Sequence, residues 1–147
     1  MQGMSKDKLT ALDVYASCVC LGVQRAARGV ARRYDEALRP AGLTSGQFTI
    51  LSSLLRDEPT PIGSLAELLG LDRTTLNRNL RPLESENLVE TVPDPEDARV
   101  RRICLTSVGR KRLETAIPLW RKVQSESNGR IGKTGWRELR PLLDHLS

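Results

Sequence analysis

From Leu9 to Arg39 the chain holds no proline, and Leu12, Ala16, Val19, Val23, Ala26, Val30, Tyr34 and Ala37 recur at a helical period. This pattern predicts one long amphipathic helix, ended by Pro40 and Gly42. It is longer than a small domain needs for its own core, so part of the stripe is expected to pack on a second copy of the chain. Thr44 then reads as the N-cap of a helix to about Leu55, with Phe48, Leu51, Leu54 and Leu55 turned inward. Residues 57–61, DEPTP, read as a loop.

The next stretch, IGSLAELLGLDRTTLNRNLR over residues 62–81, reads as two short helices around a tight turn. Gly63 or Ser64 can open the first, Leu65, Leu68 and Leu69 give its apolar face, and Gly70 suits the left-handed residue that closes it. Asp72 is placed to cap the second helix, which leaves Arg73, Thr74, Thr75, Asn77, Arg78 and Arg81 on or near its leading end with no acid among them. That is the layout of a helix-turn-helix reader, although a surface αα-hairpin has the same short pattern. Leu80, Leu83 and Leu88 should hold the second helix to the core as it continues past Pro82 to about Glu86. The period then changes to alternation. Leu88 to Val92 and Val100 to Thr106 predict two strands joined by PDPEDA, with Ile103 and Leu105 facing inward. Ser107 can cap a helix to about Val123, kinked at Pro118. The polar run SESNGRIG separates it from a last helix, about Thr134 to Leu146, striped by Trp136, Leu139, Leu142 and Leu143. The predicted order is ααααββαα, a mainly α fold with a small β-hairpin, in one domain spanning 1–147.

Composition narrows the function. With 147 residues, 39% apolar and 28% charged, the chain is the size of one globular domain, rich in Leu and Ala rather than β-branched residues, and no apolar run reaches membrane-spanning length. The opening MQGMSKDKLT has neither an apolar core nor a small-residue cleavage pattern, which makes the cytoplasm the expected location. Net charge is +5, yet residues 61–111 carry eight basic and eight acidic residues, so charge alone does not argue for nucleic acid. Its distribution says more. Six acids and no base lie between Glu84 and Asp97, and six bases and no acid between Arg99 and Arg112. The one histidine, His145, lies near the end, and Cys18, Cys20 and Cys104 have no metal-ligand spacing. Zinc sites, a histidine-based triad and a disulfide framework are therefore not expected, no nucleophile has an adjacent base, and no cofactor motif is found; the chain does not read as an enzyme.

Three linked segments resemble the MarR family of bacterial winged-helix transcription factors: RYDEALRPAGLTSGQFTIL at the first helix junction, IGSLAELLGLDRTTLNRNLRPLESENLVE at the helix-turn-helix, and PDPEDARVRRICLTSVGR at the wing and the helix after it. The resemblance implies a homodimer whose N- and C-terminal helices (about 9–39 and 107–146) intertwine. Between them, two winged helix-turn-helix lobes (about 44–106) read a roughly palindromic duplex. It places the wing pair at Asp97 and Arg99, where the acid orients the tip arginine toward a minor groove. Because Glu96 and Ala98 stand where many members have basic residues, this wing should depend on Arg99 and Arg101.

In the reading helix, Arg78 and Arg81 can meet phosphates or guanine edges, Asn77 can pair with adenine, and Thr74 and Thr75 can touch phosphate or a thymine methyl. The family's usual trigger is a small apolar or aromatic ligand, for which Tyr34, Trp120 and Trp136 are candidate pocket residues, though core packing explains them too. In the hydroperoxide-sensing branch, Cys20 and Tyr34 fall at the reactive cysteine and an approaching tyrosine, while Ser45 replaces a second tyrosine. On one straight helix Cys20 and Tyr34 lie about 20 Å apart, and Cys18 and Cys20 point apart. The expectation is a repressor released by a ligand or, alternatively, by thiol oxidation; a winged-helix protein-contact module is the rival.

Overall fold

The structure, a computed structural model, describes residues 8–147. The leader-free reading of the first ten residues falls mainly on 1–7, outside the described residues. Seven helices and three short strands follow in the order α1 (Ala11–Ser17), α2 (Val19–Leu38), α3 (Ser45–Ser53), β1 (Thr60–Pro61), α4 (Ile62–Leu69), α5 (Arg73–Ser85), β2 (Val89–Pro93), β3 (Arg101–Leu105), α6 (Ser107–Ile131) and α7 (Gly135–Asp144). A 3-10 turn, Arg39–Ala41, joins α2 to α3, with Gly42 left-handed at φ 69°.

The predicted first helix is two helices. Cys18 is extended (φ −75°, ψ 108°), and its sulfur accepts the Leu21 amide as the N-cap of α2. A thiol can act there as a serine hydroxyl would, and the apolar period gives no sign of the break because it runs on through it. The opposed directions expected for Cys18 and Cys20 therefore do not apply, since Cys18 is not helical. Helix α1 is closed at its start by a capping box between Thr10 and Asp13. It buries no residue, and its Tyr15 ring lies 4.6 Å from the Arg25 guanidinium of α2.

The core belongs to the middle of the chain. Leu38, Leu51, Leu65, Leu76, Leu83, Leu88, Ile103 and Leu113 are fully buried or nearly so, with Phe48 stacked on Trp120 at 5.8 Å. Two leucines expected inside are outside. Leu55 lies beyond the end of α3 and is 47% exposed, and Leu68 is 58% exposed on the outer face of α4, whose inner face is filled by Leu65 and Ala66.

The loop DEPTP hides a strand. Thr60 and Pro61 pair antiparallel with Ile103 and Arg102, so the expected hairpin is a three-stranded sheet in the order β1-β3-β2. A two-residue edge strand ending in proline carries no alternation to read. The helix expected to stop near Val123 runs to Ile131, through Pro118 and most of SESNGRIG. Its packing along α2, with Val123 buried and the Tyr34 hydroxyl donating to Gln124, overrides the weak propensity of Ser, Asn and Gly. Its cap is Thr106, not Ser107; the Thr106 hydroxyl accepts the Gly109 amide at 2.9 Å and donates to the Asn87 carbonyl. Among the described residues no helix is long and apolar enough to cross a membrane, and no cluster of three metal-ligating side chains occurs.

Candidate nucleic-acid interface

Helix α5 is presented by its turn and its cap. Gly70 takes the left-handed conformation (φ 63°) that ends α4, and the Asp72 carboxylate accepts the Thr75 amide at 2.7 Å and the Thr75 hydroxyl at 2.8 Å. These two bonds hold the Asp72 carboxyl below the usual carboxylate range. Leu76, Leu80 and Leu83 anchor the inner face, which leaves Arg73, Thr74, Asn77, Arg78 and Arg81 exposed on the outer one. Thr75 is different. Its hydroxyl proton is donated to the Asp72 cap, which leaves its methyl and the accepting side of its oxygen to meet DNA.

The wing is built on two aspartates. Asp94, nearly buried, accepts the Arg102 Nε and the backbone amides of Glu96 and Asp97, while Arg102 also donates to the Pro59 carbonyl at 3.1 Å. Arg102 thus ties the loop to β1, and its hydrogen bond is the main cause that holds the Asp94 carboxyl below its ordinary value. Asp97 accepts the Arg99 Nε at 3.1 Å and the Arg99 amide at 3.0 Å, and these bonds lower it in turn. The Arg99 side chain is 92% exposed, so this pair does little for stability and instead sets where the guanidinium points. Sequence reasoning missed Asp94 and Arg102; the signal was Asp-Pro at the head of PDPEDA, the signature of an aspartate that folds a turn over its own carboxylate.

Between α5 and the wing lies a hollow of about 230 Å³ lined by Gly63, Arg73, Asn77, Arg99 and Arg101 among others. Of the predicted residues, Arg73 and Asn77 of the reading helix and Arg99 and Arg101 of the wing therefore meet in one concave, cationic surface; Thr74, Thr75, Arg81 and Asp97 do not line it, and Arg78 faces the start of α3 beside Gln47.

The other candidates scatter. Trp120 is spent on Phe48, the Tyr34 hydroxyl on Gln124, and Trp136 is 45% exposed on α7, which meets α6 at its far end, roughly 16 Å along the axis from Trp120. Core and helix packing account for the first two, and the structure does not gather the three around one cavity. Cys20 is exposed on α2. Burial and the neighbouring Glu90 carboxylate push the Cys104 thiol up, which makes it a poor nucleophile.

A family model described as the MarR family matches residues 43–100, the lobe that holds this surface. The transcriptional regulator MosR of M. tuberculosis, solved in complex with DNA, is 40% identical over 88% of this chain and 93% of that one, with a TM-score of 0.80. A mutant MarR from E. coli, complexed with operator DNA, shares the fold at a TM-score of 0.82 and 24% identity, over 93% of this chain and 99% of that one. Among curated relatives, the transcriptional repressor NicR of Pseudomonas putida is 32% identical over 60% of this chain. That alignment spans 56% of NicR's own length.

Proposed function

The chain belongs to the MarR family, and from that membership we propose that it is a sequence-specific DNA-binding regulator of transcription that works as a homodimer. One observation carries the reading: Arg73 and Asn77 on the exposed face of α5 line one hollow with the Arg99 tip, which Asp97 aims. A helix front of Arg73, Asn77, Arg78 and Arg81 fits a major groove while an adjacent arginine reaches a minor groove, and two such lobes require a two-fold site. The dimer is supported by the uncovered apolar side chains of Leu12, Val19, Leu142 and Leu146, all at least 60% exposed on α1, α2 and the α7 end. Repression is favoured because the similar NicR is named a repressor.

A gel shift on the DNA beside the chain's own gene, at two salt concentrations, tests the reading. A salt-sensitive complex with one preferred site is expected. No shift even at low salt would reject DNA binding and leave a protein-contact module. Release by a small apolar or aromatic ligand is the proposed control. Thiol oxidation is a second reading, favoured by the exposure of Cys20 two residues after the Cys18 cap; DNA affinity unchanged by peroxide in both wild type and Cys20→Ser would exclude it.

A further inference from the structure

The charged side chains that line the hollow between α5 and the wing are Arg73, Arg99 and Arg101, with no carboxylate among the lining residues. Arg73 enters it by lying across Gly63. A methyl group at position 63 would come within 2.9 Å of the Arg73 Nη2 and 3.7 Å of its Cζ. Gly63 is not left-handed and stands in the first turn of α4, where alanine would suit the backbone better. The backbone does not ask for glycine there; the guanidinium does. Arg73 forms no ion pair among the described residues, so no acid among them competes for it.

A cationic hollow of this kind matches a phosphate group better than a base edge, and it lies where a duplex backbone passes between a helix in one groove and a wing in the next. We propose that Gly63 is a positioning residue for Arg73, and that Arg73 with Arg101 holds one DNA backbone phosphate in this hollow, beside the Arg99 tip. The proposal rests on the DNA-binding reading above and adds the subsite and the residue that shapes it. The missing Cβ lets the Arg73 guanidinium lie over position 63; with a methyl group there, the guanidinium tip must shift from that place.

Because a phosphate contact is blind to sequence, two duplexes of unrelated sequence are sufficient probes. Binding is measured against salt for wild type, Gly63→Ala, Arg73→Gln and the double variant, with thermal unfolding alongside. Arg73→Gln should make the slope of log K against log salt shallower by about 0.9 for each lobe on the duplex. Gly63→Ala should change affinity and slope in the same direction by a smaller amount although it removes no charge, and its melting temperature should hold or rise. In the double variant the losses should not add, since Gly63 acts only through the guanidinium that Arg73→Gln removes. Wild-type affinity and slope in Gly63→Ala, or losses that add in full, would overturn the proposal. So would a loss confined to one DNA sequence, which would make Arg73 a base reader. Wild-type protein that binds no duplex at about 50 mM salt would instead remove the DNA-binding reading and this subsite with it.

Discussion

The reading lobe and the flanking helices are both rich in leucine, but they satisfy it differently. From Leu43 to Leu113 the apolar side chains close on one another: Leu65, Leu76, Leu83, Leu88 and Ile103 are all fully buried within a single copy of the chain. Helices α1 and α7 bury nothing, and the one fully buried residue of the 20-residue α2 is Leu38, where it enters the lobe. A lobe that completes its own core can be carried as a rigid reader. Flanks that leave Leu12 74% and Leu142 63% exposed have their apolar stripe still to cover. The difference teaches that one amphipathic pattern can encode a core or an interface, and only the count of available partners tells which.

The largest expected effect lies in the lobe. A Cβ at Gly109 would fall 1.9 Å from the Leu88 carbonyl oxygen and 2.8 Å from its carbon, both backbone atoms held by the Leu88 amide's bond to Leu83 and the Thr106 amide's bond to Leu88. Neither side can yield cheaply. Gly109→Ala should destabilise by about 3 kcal/mol, read by urea unfolding, and the loss should not depend on protein concentration. Leu142→Ser should behave in the opposite way. Uncovering one leucine costs about 1.5–3 kcal/mol, and in a dimer it is uncovered twice, so the dissociation constant should rise on the order of 100-fold or more. Sedimentation would show that shift with little change in unfolding of the isolated chain. A concentration-independent loss in Leu142→Ser would break the distinction between the two regions.

Acid should attack the lobe through its wing. Asp94 has its folded pKa lowered from the ordinary 3.8, chiefly by the Arg102 hydrogen bond. The unfolded chain therefore binds the proton first as pH falls. The stabilisation is complete above the unfolded value and is lost as pH drops through the lower folded one. Asp72 and Asp97 share that direction in the lobe, whereas in the flanks Asp13 does so beside Thr10. Asp94→Asn should lower stability at neutral pH and flatten its dependence on pH below the ordinary carboxylate value, measured by unfolding across that range. An unchanged acid profile would mean that Arg102 holds the wing without help from the Asp94 charge.

Sequence made the lobe legible where local chemistry decides. Gly70, Asp72 and the outward face of α5 follow from turn, cap and helical period, and the structure keeps all three roles. It hid what depends on contacts between distant segments. β1 exists because β3 passes beside Thr60, α6 runs through a polar Ser/Asn/Gly segment because α2 supports it, and Asp94 is a hub because Arg102 returns to it across the hairpin. The Cys18 break is hidden for another reason: the apolar period carries on through it, and a capping thiol looks like any small helix residue. Gly63 and Gly109 differ from ordinary glycines only by what approaches them.

Leu68 gives the smallest expected effect and the finest test of the comparison. The helical stripe of α4 puts Leu68 with Leu65 and Leu69, yet it is 58% exposed, close to the exposure of Leu142 in the flank. If exposure of a leucine were enough to mark an interface, the two should respond alike. The lobe's core is complete without Leu68, and it lies outside the run of uncovered apolar side chains on α1, α2 and α7. Leu68→Gln should therefore change stability by less than about 0.5 kcal/mol and leave the dissociation constant of the proposed dimer where it was, against the large shift for Leu142→Ser. A concentration-dependent loss in Leu68→Gln would put α4 into an interface between copies, and the reading lobe would no longer be the self-sufficient half of the molecule.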